Sequence, residues 1–214
     1  MSLRLLPFRQ YDENDVINIF ALNSDAVLAN TTDDGSGSNG VFVKVSDGNF
    51  DQDVITYTSN SYLGKTDYPF AASEMYPSNP LTITPAVSGD IPLGITLNQT
   101  AKADENGEKL LYNPTKKEEL QAVLPGQTVP VATKGIFTFS SNAFNGPVAS
   151  YSLGGTVQID FATAGTITGG DKALSDPTSG DFGVIIGTGS RNGGSGIGAS
   201  TADQFSGEFL ILKI

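Results

Sequence analysis

Short runs of β-branched and aromatic residues recur along this chain, and each is closed by Gly, Pro, Asn, Asp or Ser. They fall at 17–22 (INIFAL), 41–45 (VFVKV), 54–58 (VITYT), 81–84 (LTIT), 94–98 (GITLN), 135–139 (GIFTF), 156–161 (TVQIDF), 183–187 (GVIIG) and 208–214 (EFLILKI). Several alternate with period two. Val41, Val43 and Val45 are expected on one face, as are Val157, Ile159 and Phe161, the pattern of a half-buried strand. One stretch predicts a helix, from Thr115 to Leu124. Thr115 is read as its cap with a Glu three residues on, Pro114 precedes it and Pro125-Gly126 ends it. At that length it must pack Leu120, Val123 and Leu124 on a sheet to be stable. Residues 12–22 open with turn formers that suit one helical turn, while their Ile/Phe/Leu end reads as strand.

Composition strengthens the all-β reading. Gly (25) and Pro (11) stand above the usual share, and charged residues make up 16% of the 214 positions, against about 25% ordinarily. Two polar stretches interrupt the strands: 30–40 (NTTDDGSGSNG), and 187–198, which holds six glycines. Neither can bury much side chain. Each reads as a solvated loop or as a surface laid against a partner.

Charge and the missing residue types narrow the chemistry. The net charge is −11, and His, Cys and Trp are absent. An acidic chain is poorly suited to gripping a phosphate backbone, so no nucleic-acid partner is expected. Without His or Cys there is no Ser-His-Asp or Cys-His nucleophile, no Cys/His zinc site and no disulfide framework. No apolar stretch approaches the length needed to span a bilayer, and the opening lacks the apolar core of a signal peptide. No membrane association is expected, and synthesis in a cytoplasm is.

The remaining candidates are weak. Asp47, Asn49, Asp51 and Asp53 alternate like the oxygen ligands of a calcium loop. The sixth-position Gly and twelfth-position Glu of such a loop are missing, and Thr58 stands at the latter. A charged turn between strands explains them as well. The glycines from 187 match no phosphate-binding spacing. Paired carboxylates for glycoside hydrolysis would need an apolar pocket, and the acids here sit mostly in turns. Tyr57, Tyr62, Tyr68 and Tyr76 are equally a glycan platform or loop anchors. Neither a catalytic residue nor a cofactor is expected.

The N-terminal segment is the most unusual. Arg4 and Arg9, two of the three arginines, alternate with Leu3, Leu5, Leu6 and Phe8 ahead of Tyr11 and the acids Asp12, Glu13 and Asp15. The segment reads either as an edge strand of its own sheet or as an arm that docks on another subunit by strand addition.

The opening, LRLLPFRQYDENDVINIFALN, is similar to the starts of virion structural proteins of marine and cyanobacterial phages. The stretch Ile91–Leu97 (IPLGITL), then Leu124–Phe137 (LPGQTVPVATKGIF), and the closing FGVIIGTG and GEFLILKI resemble the small barrels of lambda-like head-stabilising proteins. The likeness spans about 85–214 in pattern and 3–22 in wording. It implies a tailed-bacteriophage capsid decoration (cement) protein: a β-barrel or β-tulip body without enzymatic activity, bound on the outer capsid surface to the major capsid protein. A homotrimer and residence on the virion follow from the same likeness, as does an N-terminal arm, here Leu3–Tyr11. On this reading 1–22 is arm and first strand, 23–90 an extra strand-rich subdomain, and 91–214 the barrel. The barrel core is expected to hold Ile95, Leu97, Ile136, Phe137, Val157, Ile159, Val184, Ile185, Leu210 and Leu212, with the helix as plug or lid. A tail or fibre component, or a receptor-binding β-module, is the competing reading.

Overall fold

The computed structural model describes residues 4–18, 20–22, 39–45, 81–101, 106, 108–124, 128–161, 164–169, 180–191 and 207–214. The expected strand at 54–58, the Asp47–Asp53 cluster, the four tyrosines from 57 to 76 and residues 192–198 of the glycine-rich stretch lie outside the described residues.

The described part is all-β with one short helix. A four-stranded antiparallel sheet runs in the order β1 (Leu5–Gln10), β10 (Ile136–Ser140), β14 (Gly207–Lys213) and β13 (Val184–Arg191). A six-stranded sheet runs β2 (Val16–Ile17), β9 (Val131–Ala132), β6 (Gly94–Thr96), β4 (Phe42–Val45), β5 (Leu81–Pro85) and β3 (Phe20–Leu22). Only its β3–β5 pair is parallel. Two small sheets complete it: β7 (Gln99–Thr100) with β8 (Ala122–Val123), and β11 (Val157–Ile159) with β12 (Ile167–Gly169). Both larger sheets are open, so no closed barrel forms among the described residues.

The two larger sheets share one core. Leu5, Phe137, Phe139, Ile185, Leu210 and Leu212 from the first meet Phe42, Ile95 and Ala132 from the second, with Val157, Ile159 and Ile167 of β11–β12 joining them. Phe42 is its hinge pin, with ring centroids 5.4 Å from Phe139 and 5.2 Å from Phe182. The six-stranded sheet is buried on its other face too, where Val41, Val43, Ile83 and Val131 pack on Val129. Two buried faces leave no alternation to read, the situation of a central strand. Gly94 permits the tight spacing of β6 and β9, since a Cβ there would lie 2.2 Å from the Ala132 carbonyl oxygen.

Eight of the ten expected core residues are buried. The exceptions are Ile136, half-buried, and Val184, 43% exposed. Each stands beside a residue that faces inward, Phe137 and Ile185, so the pleat turns it outward. Phe161 is 91% exposed because β11 ends at Ile159 and the chain turns away. Val45 likewise passes out of the core at the end of β4.

The helix α1 is shorter than expected and spans Pro114–Glu119. Asn113, not Thr115, caps it: the Asn113 side-chain oxygen accepts from the Lys116 amide, and Pro114 takes the first turn. Gln121 adopts the left-handed conformation (φ 48°) that stops the helix, and Ala122–Val123 become β8. No residue of α1 is buried, so it is neither plug nor lid. Leu120 and Leu124 beyond it pack on Ala101, Leu110 and Ala122. The turn expected near Asp12 is present, as a 3₁₀ turn at Glu13–Asp15 capped by Asp12. The expected boundary near residue 90 runs through one sheet, because Phe42 and Val43 of β4 pair with Ile95 and Gly94 of β6.

Candidate functional site

The segment expected as an arm is a strand of its own chain's sheet. Leu5, Arg9 and Gln10 pair with Phe139, Phe137 and Ile136, and the Ser140 amide donates to the Arg4 carbonyl at 2.8 Å. Leu5 and Leu6 are buried, and Arg4 is only 3% exposed, its guanidinium donating to the Gly165 carbonyl at 3.2 Å. The physical reason is that β10 offers both an unpaired edge and an apolar face, and the alternating leucines fit it. Of the residues expected to touch a partner, Leu3 lies outside the described residues, while Arg4, Leu5 and Leu6 serve the fold. Tyr11 stacks on Phe137, centroids 5.8 Å apart, and Arg9 is half-buried. Phe8 alone of that set projects fully, at 64% exposure.

β1 is also a poor template for a further strand. Four steps of chain from Leu5 to Arg9 oppose only two on β10, so the strand bulges, and Pro7 within the bulge has no amide to give. Bulges and edge prolines are how sheets discourage edge-to-edge pairing.

The outer face of the four-stranded sheet carries apolar side chains set among Gln10, Thr138, Ser140 and Lys213. Arg9 shares the inward side of Phe137, so Phe8 beside it points outward, as do Ile136 and, on β14, Phe209 and Ile211. Val184 and Ile186 of β13, the latter in a bulge, complete the face at 43% and 46% exposure. Gly187 and Gly189 belong to this face as well. They oppose Ile211 and Phe209, whose side chains lie over them so closely that a Cβ would sit 2.9 and 2.6 Å from the nearest atom. Part of the glycine-rich stretch is therefore a strand whose missing side chains are replaced by the neighbour's, leaving a smooth surface. Sequence reasoning placed Val184 in the core and did not assemble this face. The signal was available in three consecutive apolar residues, Val184-Ile185-Ile186, which a strand cannot all turn inward.

Polar chemistry in the described residues is sparse. Among them no three His, Cys, Asp or Glu side chains gather as metal ligands. A cleft of about 150 Å³ lies between Phe42, Pro92, Leu93, Thr133, Phe182 and Ile214, with one side-chain hydroxyl among otherwise apolar groups. A buried polar group sits beside β12: the Tyr151 hydroxyl donates to the carbonyls of Asn145 (2.7 Å) and Ile167 (3.3 Å), and the Asn145 amide donates to Asp160 at 3.2 Å. Burial pushes the Tyr151 phenol up to about 12, with the Asp160 charge adding to the rise, so it stays a donor. These bonds hold the 143–151 turn against β12.

No family model, curated protein or solved structure matches this chain.

Proposed function

We propose that the chain is a structural virion protein that binds the outer surface of a phage capsid and stabilises it, without catalytic activity. The observation that carries this reading is the set of exposed apolar side chains on the outer face of the four-stranded sheet, Phe8 on β1 and Val184 and Ile186 on β13, with half-buried Ile136 and Ile211 between them and Lys213 standing between Ile136 and Val184. Exposed apolar side chains gathered on one sheet face and set among polar ones mark an interaction site. On a chain of net charge −11, general attraction to another acidic surface contributes little, so affinity falls to such a face. The resemblance of the opening and closing segments to phage decoration proteins supplies the partner, the major capsid protein, with a homotrimer as the docked form.

The docking element in this proposal is the sheet face, not a free arm. Phe8→Asp combined with Ile186→Asp is expected to abolish binding to capsids that lack the protein, in a sedimentation assay. Its stability should stay within about 0.5 kcal/mol of wild type, as for surface sites. Tyr112→Asp, at a site 78% exposed on the 3₁₀ turn before α1, should bind normally. Undiminished binding by the double variant would remove the face from the proposal, and failure of the wild type to bind any such capsid would remove the function.

A further inference from the structure

Four Asn-Gly steps occur in the chain, at 39, 106, 145 and 192, and the structure treats the two that it describes in full very differently. Such steps lose the side-chain amide when the glycine nitrogen attacks the Asn Cγ, because glycine has no side chain to hinder the approach. The nitrogen–Cγ bond forms, ammonia leaves, and water then opens the cyclic imide to aspartate or isoaspartate.

At Asn39 the reaction is blocked. The Gly40 amide donates to the Thr96 carbonyl at 2.6 Å, Gly40 packs on Leu5, and the Asn39 side-chain oxygen accepts from the Leu5 amide. The nucleophile would have to leave a short hydrogen bond inside the core. At Asn145 the groups are arranged the other way. Gly146 is exposed, has φ 84°, and its amide donates to no group among the described residues, which leaves the nucleophile open to water and base. The Asn145 side-chain nitrogen, the atom that departs, donates to the Asp160 carboxylate, which favours positive charge as that nitrogen takes up a proton. The Tyr151 hydroxyl on the Asn145 carbonyl polarises the very peptide whose nitrogen must lose its proton.

We propose that Asn145–Gly146 is a site of spontaneous deamidation in the folded protein, and that conversion loosens the turn it sits in. The aspartate product places a second carboxylate where the amide had donated to Asp160, while the isoaspartate product reroutes the main chain through Cγ and removes that donor as well. Asp160 is only 6% exposed. Two carboxylates at hydrogen-bond distance repel one another, and the buried Asp160 has little water around it to screen that repulsion. An amide donor that pinned 145 to Asp160 becomes a repulsive pair, and the packing of Phe144 and Tyr151 on the core is its nearest dependant.

The test ages the intact folded chain at mildly alkaline pH and maps its peptides by mass spectrometry, reading Asn, Asp and isoAsp at each step. Conversion at Asn145 should outrun that at Asn39 by about tenfold, the scale of surrendering one hydrogen bond. Equal conversion, or Asn39 ahead, overturns the assignment, and so does an Asn145 that stays intact. The converted fraction, separated by its extra negative charge, should melt below fresh protein. Identical melting would overturn the coupling to Asp160.

Discussion

The four-stranded and six-stranded sheets share a core but are assembled in opposite ways. In the first, β10, β14 and β13 are five to eight residues long and pair in nearly continuous register, with burial alternating along β14. In the second, strands of two to five residues are drawn from residues 16 to 132, and Val41, Phe42 and Val43 are fully buried in succession. The first sheet keeps exposed apolar side chains on the outer face of β1 and β13, although Thr138 and Ser140 of β10 are buried, while the second spends both faces on the fold. An element that works outward stays legible by its period of two. One that works inward on both sides does not.

The largest effect should come from cutting the link between them. Phe42→Ala removes the ring wedged between Phe139 and Phe182, and a buried Phe→Ala change costs about 3–5 kcal/mol. Because that ring belongs to both sheets, amide exchange should accelerate together in β4–β6 and in β10–β14. Acceleration confined to the six-stranded sheet would mean that the sheets open separately, and the shared-core account would fail.

A smaller loss is expected at Leu5, in the segment that the resemblance implies to be a docking arm and that the residues alone leave open as an edge strand. Leu5→Ala should cost about 2–4 kcal/mol in urea unfolding, the range for a buried leucine. A docking arm would lose next to nothing in the isolated protein. A value below about 0.5 kcal/mol, typical of surface sites, would detach β1 from the sheet and restore the arm.

Much of the first sheet could be read from residues: the strands near 135–139, 183–187 and 208–214 are present, with Phe137, Ile185, Leu210 and Leu212 inward. The 3₁₀ turn after Asp12 was legible from its turn formers. The pairing of β1 was not, because an apolar alternating segment suits an internal and an external edge equally. Only the vacancy beside β10, a property of the folded sheet, decides between them. The helix was overdrawn because Leu120, Val123 and Leu124 match a helical face as well as a short strand. The left-handed Gln121 that separates the two has no sequence signature, since glycine is the usual residue there. The outer apolar face was missed for a related reason. It is contributed by four strands of one sheet and becomes a surface only once their register is fixed.

The smallest expected effect tests how the turn after β5 is tied to β4. Asp90 closes the turn after β5, accepting from the Val87 amide at 2.8 Å and from Lys44 of β4, also at 2.8 Å. Partial burial works to raise its pKa, but the Lys44 contact and the Val87 hydrogen bond outweigh it and hold the carboxyl below its usual 3.8. A carboxyl with a depressed folded pKa contributes stability above its unfolded pKa, and that contribution is lost as pH falls through the folded value. Asp90→Asn keeps an oxygen for the Val87 amide and discards the charge. It should therefore cost under about 1 kcal/mol at neutral pH, as a partly exposed pair does. The gap to wild type should narrow as pH drops past the ordinary carboxylate range and close in acid, and salt should shrink it at neutral pH. Paired urea titrations along a pH series read it directly. A gap that persists unchanged into acid would assign the turn's stability to the Val87 hydrogen bond and not to the Lys44 charge.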